Sequence, residues 1–113
     1  MYLEGLNALA EQCKKDSNDR GFSTTLENLD QKLLLIVGEV IEAQEEIRAG
    51  KTTGAVYYKP EKPDKPEGFP IEIADALIRI FELCGSLDIP IAAAVALKME
   101  YNKTRPYLHG KKF

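Results

Sequence analysis

The sequence predicts an all-α fold, a four-helix bundle, on three observations. Apolar residues recur at spacings of three and four in four separate segments, and no useful stretch alternates strictly between apolar and polar. The third is length: 113 residues are enough for one core and too few for two. The first helix, about 3–20, sets Leu3, Leu6, Leu9, Ala10 and Cys13 along one stripe, turns polar from Lys14 to Asp19, and stops at Gly21. The second and longest, about 27–49, carries Leu29, Leu33, Ile36, Val37, Val40, Ile41 and Ile47, with Gly50 as its C-terminal stop. The third, about 70–85, opens on Pro70, suited to a first helical turn, and runs through Ile73, Ala74, Leu77, Ile78, Phe81 and Cys84 to Gly85. The fourth, about 88–104, takes Asp88 as N-cap and Pro90 in its first turn, then Ile91, Ala94, Val95, Leu97 and Met99 up to the break before Pro106.

Residues 51–69 connect the second helix to the third within this single domain of residues 1–113. Prolines 60, 63 and 66, with Gly54 and Gly68, exclude a helix or a central strand, so the expectation is a solvated, partly polyproline connection. A lid or subunit contact is the other reading, and Ala55-Val56-Tyr57-Tyr58 has the composition of a short strand. Gly50-Lys51-Thr52 is not a phosphate-binding P-loop: Glu45 stands where that motif needs glycine, and the string follows a helix instead of preceding one.

Charge narrows the function classes. Eighteen acids and fifteen bases give −3 overall, but residues 98–113 hold five bases against one acid, a net of +4, so residues 1–97 carry −7. An acidic body lacks the extended basic face of sequence-independent nucleic-acid binding, so no nucleic acid is expected as partner. Acid and base segregated in one small domain suit a cation held beside an anionic ligand. Cys13 and Cys84 have neither CxxC nor CxxH spacing, which argues against zinc and a disulfide framework and for a reducing, cytoplasmic compartment. Residues 1–12 hold two acids and no basic side chain, and no apolar run approaches ~20 residues, so neither a secretory leader nor a membrane span is expected.

The chemistry is carried by carboxylates. Glu39 and Glu42 are three apart and emerge on neighbouring turns of one helix face, which Glu46 continues; Glu72 and Asp75 repeat the spacing on the third helix. Both pairs sit among apolar residues, close to the packing stripe. If the helices lie side by side the acids converge, and their repulsion must be relieved by protonation, a base or a metal. Oxygen-only ligands favour Mg²⁺, with Mn²⁺ as substitute, over zinc or copper. A solvated acidic face on two helices is the alternative. A di-iron centre is excluded, because it needs a Glu-x-x-His on each of two helices and His109 is the chain's one histidine. On the fourth helix Lys98 and Asn102 share a face, with Arg105 a turn further. These groups either grip a polyphosphate or complement the helix C-terminus.

From about residue 20 onward the chain resembles the MazG-like all-α nucleoside triphosphate pyrophosphohydrolases. The family's E-x-x-E, spacer, E-x-x-D pattern is matched by Glu39-Val40-Ile41-Glu42 and Glu72-Ile73-Ala74-Asp75. Val37-Gly38, Ala76-Leu77-Ile78-Arg79, and the ending Lys98-Met99 … Asn102 … Arg105-Pro106-Tyr107 … His109-Gly110-Lys111 extend the match. The resemblance implies that Glu39, Glu42, Glu72 and Asp75 hold magnesium and that Lys98 and Asn102 contact the nucleotide's phosphates or sugar. Arg105 and Tyr107 follow as further substrate contacts, and Phe22, in the connection before the second helix, is the candidate for stacking on the base. Where many members carry an acid before the first motif glutamate this chain has Gly38, which leaves Glu46 or Glu45 as third acid on that helix, or none.

The expected activity is Mg²⁺-dependent hydrolysis of a (deoxy)nucleoside triphosphate to monophosphate and pyrophosphate, a housecleaning role by family inference, with Glu39 or Glu42 orienting water or accepting its proton. The alternatives are a non-catalytic nucleotide-binding domain and a helical protein-interaction module. A single unit of this size leaves a shallow groove, so a homodimer or homotetramer is expected.

Overall fold

The computed structural model describes residues 2–107. A 3-10 turn, Tyr2–Glu4, leads into α1 (Gly5–Asp19), followed by α2 (Leu29–Arg48), β1 (Tyr57–Lys59), β2 (Lys62–Glu67), α3 (Phe69–Ser86) and α4 (Ile91–Lys103). The expected ending beyond Tyr107, including His109, lies outside the described residues.

Three helices end in the same local chemistry. Gly21 and Gly50 adopt positive φ, and the following N–H reaches back to the carbonyl five residues earlier: Phe22 to Ser17 at 2.9 Å and Lys51 to Glu46 at 3.1 Å. α3 ends likewise, but its left-handed residue is Asp88 (φ 56°), with Ile89 N–H donating to the Cys84 carbonyl at 2.9 Å. Asp88 is therefore the close of α3 and not the N-cap of α4. α3 continues through Gly85 to Ser86, and α4 starts at Ile91, where the Asn7 side-chain oxygen accepts from the Ala92 N–H at 3.0 Å. α2 begins two residues later than expected, after a turn in which Thr25 and Asn28 exchange side-chain to backbone bonds of 2.8 and 3.3 Å.

α3 is the centre of the fold: α1 and α2 pack along it rather than on each other. The α1–α3 seam is tight because it is built from small residues. A Cβ on Gly85 would stand 2.5 Å from the Ala10 carbonyl oxygen and 3.0 Å from Lys14 Cβ. Ala10, Leu83 and Cys84 form the buried nucleus, with Leu29, Ile36, Ile80, Phe81 and Ile91 around it. Gly85→Ala should therefore lower stability by about 1–3 kcal/mol through overpacking, read as a fall in the urea midpoint. An unchanged midpoint would mean the helices part without cost.

Two expectations are corrected. The proline-rich connection is not simply solvated coil, since β1 and β2 form an antiparallel hairpin turning at Pro60-Glu61, with Tyr57 opposite Glu67 and Lys59 opposite Lys62. Pro63 and Pro66 fall in the stretch of β2 between those two pairings, where the register shifts and the regular ladder is interrupted, and each strand has one free edge. Gly68 (φ 127°) turns the hairpin into α3, and a Cβ there would collide with the Ala55 carbonyl. The helical class holds, but the four helices do not close around one axis. α4 leaves α3 at a bend of 114° and, among the described elements, packs on α1 and the 3-10 turn. The radius of gyration is 16.8 Å, against about 13 Å for a compact chain of ~100 residues.

The stripe read on α2 is really two. Leu29, Ile36 and Ala43 face α3, while Leu33, Leu34, Val37, Val40 and Ile41 lie on the flank and remain 47–67% exposed. No single helix is long and apolar enough to cross a membrane.

Candidate active site

The α2–α3 seam brings together three of the predicted acids. One carboxylate oxygen each from Glu39, Glu72 and Asp75 lies within 4.8 Å of the others. Helix periodicity accounts for this: at about 100° per residue, Glu39 sits next to the Ile36 seam on the side opposite the exposed apolar flank. Glu42 is further round, exposed, and its carboxyl shares a hydrogen bond with that of Glu72.

Crowding leaves its mark on protonation. Burial, then the hydrogen bond that the protonated Glu72 carboxyl donates to Glu42 and the charges of Glu42, Asp75 and Glu39, push Glu72 up to about 7. Asp75 is also raised, by burial and the charge of Glu39, with Arg79 and Lys65 opposing. A raised carboxyl favours the neutral form in the native state. Its contribution is thus fully present below the unfolded value near 4.5 and lost as pH rises through about 7. Chelated protein should lose melting temperature over that window, and Glu72→Gln should flatten the loss. Parallel profiles for the two proteins would contradict the crowding.

The donor set fits a hard divalent cation: all ligand atoms are carboxylate oxygens, they are close enough to share one ion, and among the described residues their repulsion is otherwise relieved by protons and by the nearby charges of Arg79 and Lys65. Arg79 Nε donates to Glu39 Oε1 at 3.1 Å.

Two recesses flank the acids. One, of about 270 Å³, is lined by Arg20, Phe22, Lys32, Glu39, Asp75 and Arg79, along with Ser17, Ile78 and Glu82. Its outer wall is the turn after α1, where Phe22 is exposed and Lys32 Nζ stands 5.8 Å from the ring centroid. That turn is anchored by Glu82, a carboxylate only 6% exposed, which accepts from Thr24 N–H (3.1 Å), Thr24 Oγ1 (2.5 Å) and Ser86 Oγ (2.5 Å). The other recess, about 350 Å³, runs under the hairpin and is lined by Glu42, Glu45, Glu46, Lys65, Glu67 and Glu72.

Glu46 belongs to that second recess and not to the three-carboxylate group. Its oxygens accept from the Tyr57 hydroxyl at 2.7 and 2.9 Å, a bond that ties the hairpin to α2 and pushes the phenol up to about 12. Of the predicted substrate residues, Phe22 lines the first recess. Lys98, Asn102, Arg105 and Tyr107 line neither: they lie on or after α4, where Lys98 and Arg105 pack over the Tyr101 ring at 4.9 and 5.8 Å. Cys13 and Cys84 are buried, free, and held above the usual thiol range mainly by burial, which disfavours the reactive thiolate.

Sequence reasoning missed Arg20, Lys32, Arg79, Lys65 and Glu82. The first four come from four different segments and share no spacing. Glu82 gave one faint signal, an acid inside the apolar run Ile80-Phe81-Glu82-Leu83-Cys84. Comparison with known proteins finds no match to this chain among family models, curated proteins or solved structures.

Proposed function

We propose that the protein hydrolyses a (deoxy)nucleoside triphosphate to the monophosphate and pyrophosphate in a Mg²⁺-dependent reaction. The observation that carries this reading is that two of the three clustered carboxylates, Glu39 and Asp75, line a recess shared with three cations and an aromatic ring. The pairing of opposite charges suits a ligand that is itself anionic and brings a metal with it. The E-x-x-E and E-x-x-D resemblance supports the same reaction class.

Glu39, Glu72 and Asp75, with Glu42 beside them, are the residues to hold Mg²⁺, and Mn²⁺ would serve as substitute. The ion, when bound, supplies charge neutralisation and a more acidic water. Phe22 offers a face for the base, and Arg20 and Lys32 offer charge to the phosphates. Glu42, less committed than its neighbours, is placed to orient the attacking water or take its proton, a role shared with Glu39. One water is consumed and one phosphoanhydride bond broken.

The assembly we infer is a homo-oligomer, dimer or tetramer, in which a second copy covers the apolar flank of α2. Five large apolar side chains stand exposed on that one flank, large exposed apolar patches are uncommon on monomers, and the single chain is expanded for its length. Such pairing would complete the helix bundle and give Lys98, Asn102, Arg105 and Tyr107 a route to a neighbour's phosphates. The free cysteines accord with a reducing cytoplasm.

The test is pyrophosphate release with Mg²⁺ across all canonical ribo- and deoxyribonucleoside triphosphates and damaged analogues. Turnover of at least one, abolished by chelation, is the expected result. Nucleotide binding without pyrophosphate release would mark a non-catalytic binding domain, and absence of both would leave a helical interaction module.

A further inference from the structure

Arg79 stands where the acidic and basic halves of the site meet. It lies one helical turn after Asp75 on α3, binds Glu39 through Nε, and lines the same recess as Arg20 and Lys32. Glu39 is well covered in that pair, its side chain 14% exposed, whereas Arg79 is 41% exposed and has room to move. The guanidinium cannot shed its proton. A divalent cation among Glu39, Glu72 and Asp75 would therefore compete with it for the same carboxylate and repel it at short range. The recess holds no carboxylate free to receive it: Glu82 already accepts three hydrogen bonds, and Glu39 and Asp75 are the metal-facing acids. An incoming phosphate is the partner that matches the fork of donors.

We infer that Arg79 is a phosphate-binding residue with two stations, Glu39 when no divalent cation is held and the substrate's phosphates when one is. The inference rests on the pyrophosphohydrolase reading and assigns to α3 a substrate contact that the motif spacing does not supply. Arg79 thereby serves as the resident counter-ion of the acids, holding Glu39 in position until metal and nucleotide arrive together. The cost is weaker binding of metal alone, and the return is that a metal–nucleotide complex is favoured over either component.

The two stations have opposite consequences on removal, which a purely structural role does not. Arg79→Gln should bind Mn²⁺ alone about tenfold more tightly than the unaltered protein, measured by the electron spin resonance signal of free Mn²⁺. The same variant should bind a non-hydrolysable α,β-imido triphosphate analogue, in saturating Mg²⁺, about 10- to 100-fold more weakly by calorimetry. Arg79→Lys should recover part of the analogue affinity and lose the gain in Mn²⁺ affinity. Unchanged or weaker Mn²⁺ binding in Arg79→Gln, or unchanged analogue binding, would overturn the inference while leaving the hydrolase reading intact. If the unaltered protein binds neither Mn²⁺ nor the analogue, both fall together.

Discussion

Asp75→Asn and Glu39→Ala should each reduce Mg²⁺-dependent pyrophosphate release by about 10²- to 10³-fold or more, because each removes a ligand from the three-carboxylate group on which charge compensation depends. A second readout separates loss of metal from loss of fold. Mg²⁺ at about 100 times its dissociation constant should stabilise the unaltered protein by about 2.7 kcal/mol, a rise of several degrees in melting temperature for a domain of this size. Both variants should lose most of that rise. Without metal, Asp75→Asn should melt no lower than the unaltered protein, since it removes one of the mutually repelling acids that raise Glu72. A variant that is inactive, melts early and still responds to Mg²⁺ would point to a structural role for the acid.

The second large effect concerns assembly. Val37 and Ile41 are each 51% exposed on the flank of α2 and stand outside the core cluster, so paired substitution by Lys spares the single chain's core. If a second copy covers this flank, the substitutions bury two charges per interface without partners, and dissociation should strengthen by about 10³-fold or more. Sedimentation equilibrium should then find an assembled unaltered protein and a monomeric double variant of equal helical content. A monomeric unaltered protein at tens of micromolar would remove the assembly from the proposal. Turnover lost along with assembly would identify the neighbouring copy as the user of Lys98 and Asn102.

Much of the helical framework was legible because its punctuation is local. Gly21 and Gly50 end their helices by the conformation that makes glycine informative in a sequence, and the acids of α2 and α3 needed only their three-residue spacing and apolar neighbours to be selected. What failed was information that depends on partners distant in the chain. Asp88 next to Pro90 reads as the start of a helix, yet the same acid tolerates the left-handed conformation and closes α3 instead. Prolines 63 and 66 argued against a strand, and that argument holds only where the lost donors would have met a neighbour. On α2 the core-facing residues and the exposed flank share the same three- and four-residue spacing, so periodicity merged a narrow seam and an uncovered face into one stripe. The cations of the recess, Arg20, Lys32 and Arg79, converge through folding alone.

Thr24 and Glu82 are joined by two hydrogen bonds across 58 positions of sequence. Neither tolerates loss of the other: Glu82 alone would be a buried carboxylate short of donors, and Thr24 alone would release the turn that carries Phe22. The two positions should therefore drift through evolution as a single heritable unit, changing together or not at all. For the engineer this sets a rule on recombination. A chimera whose crossover falls between residues 25 and 81, with parents that differ at this pair, would inherit sound helices from both sides and a recess wall from neither.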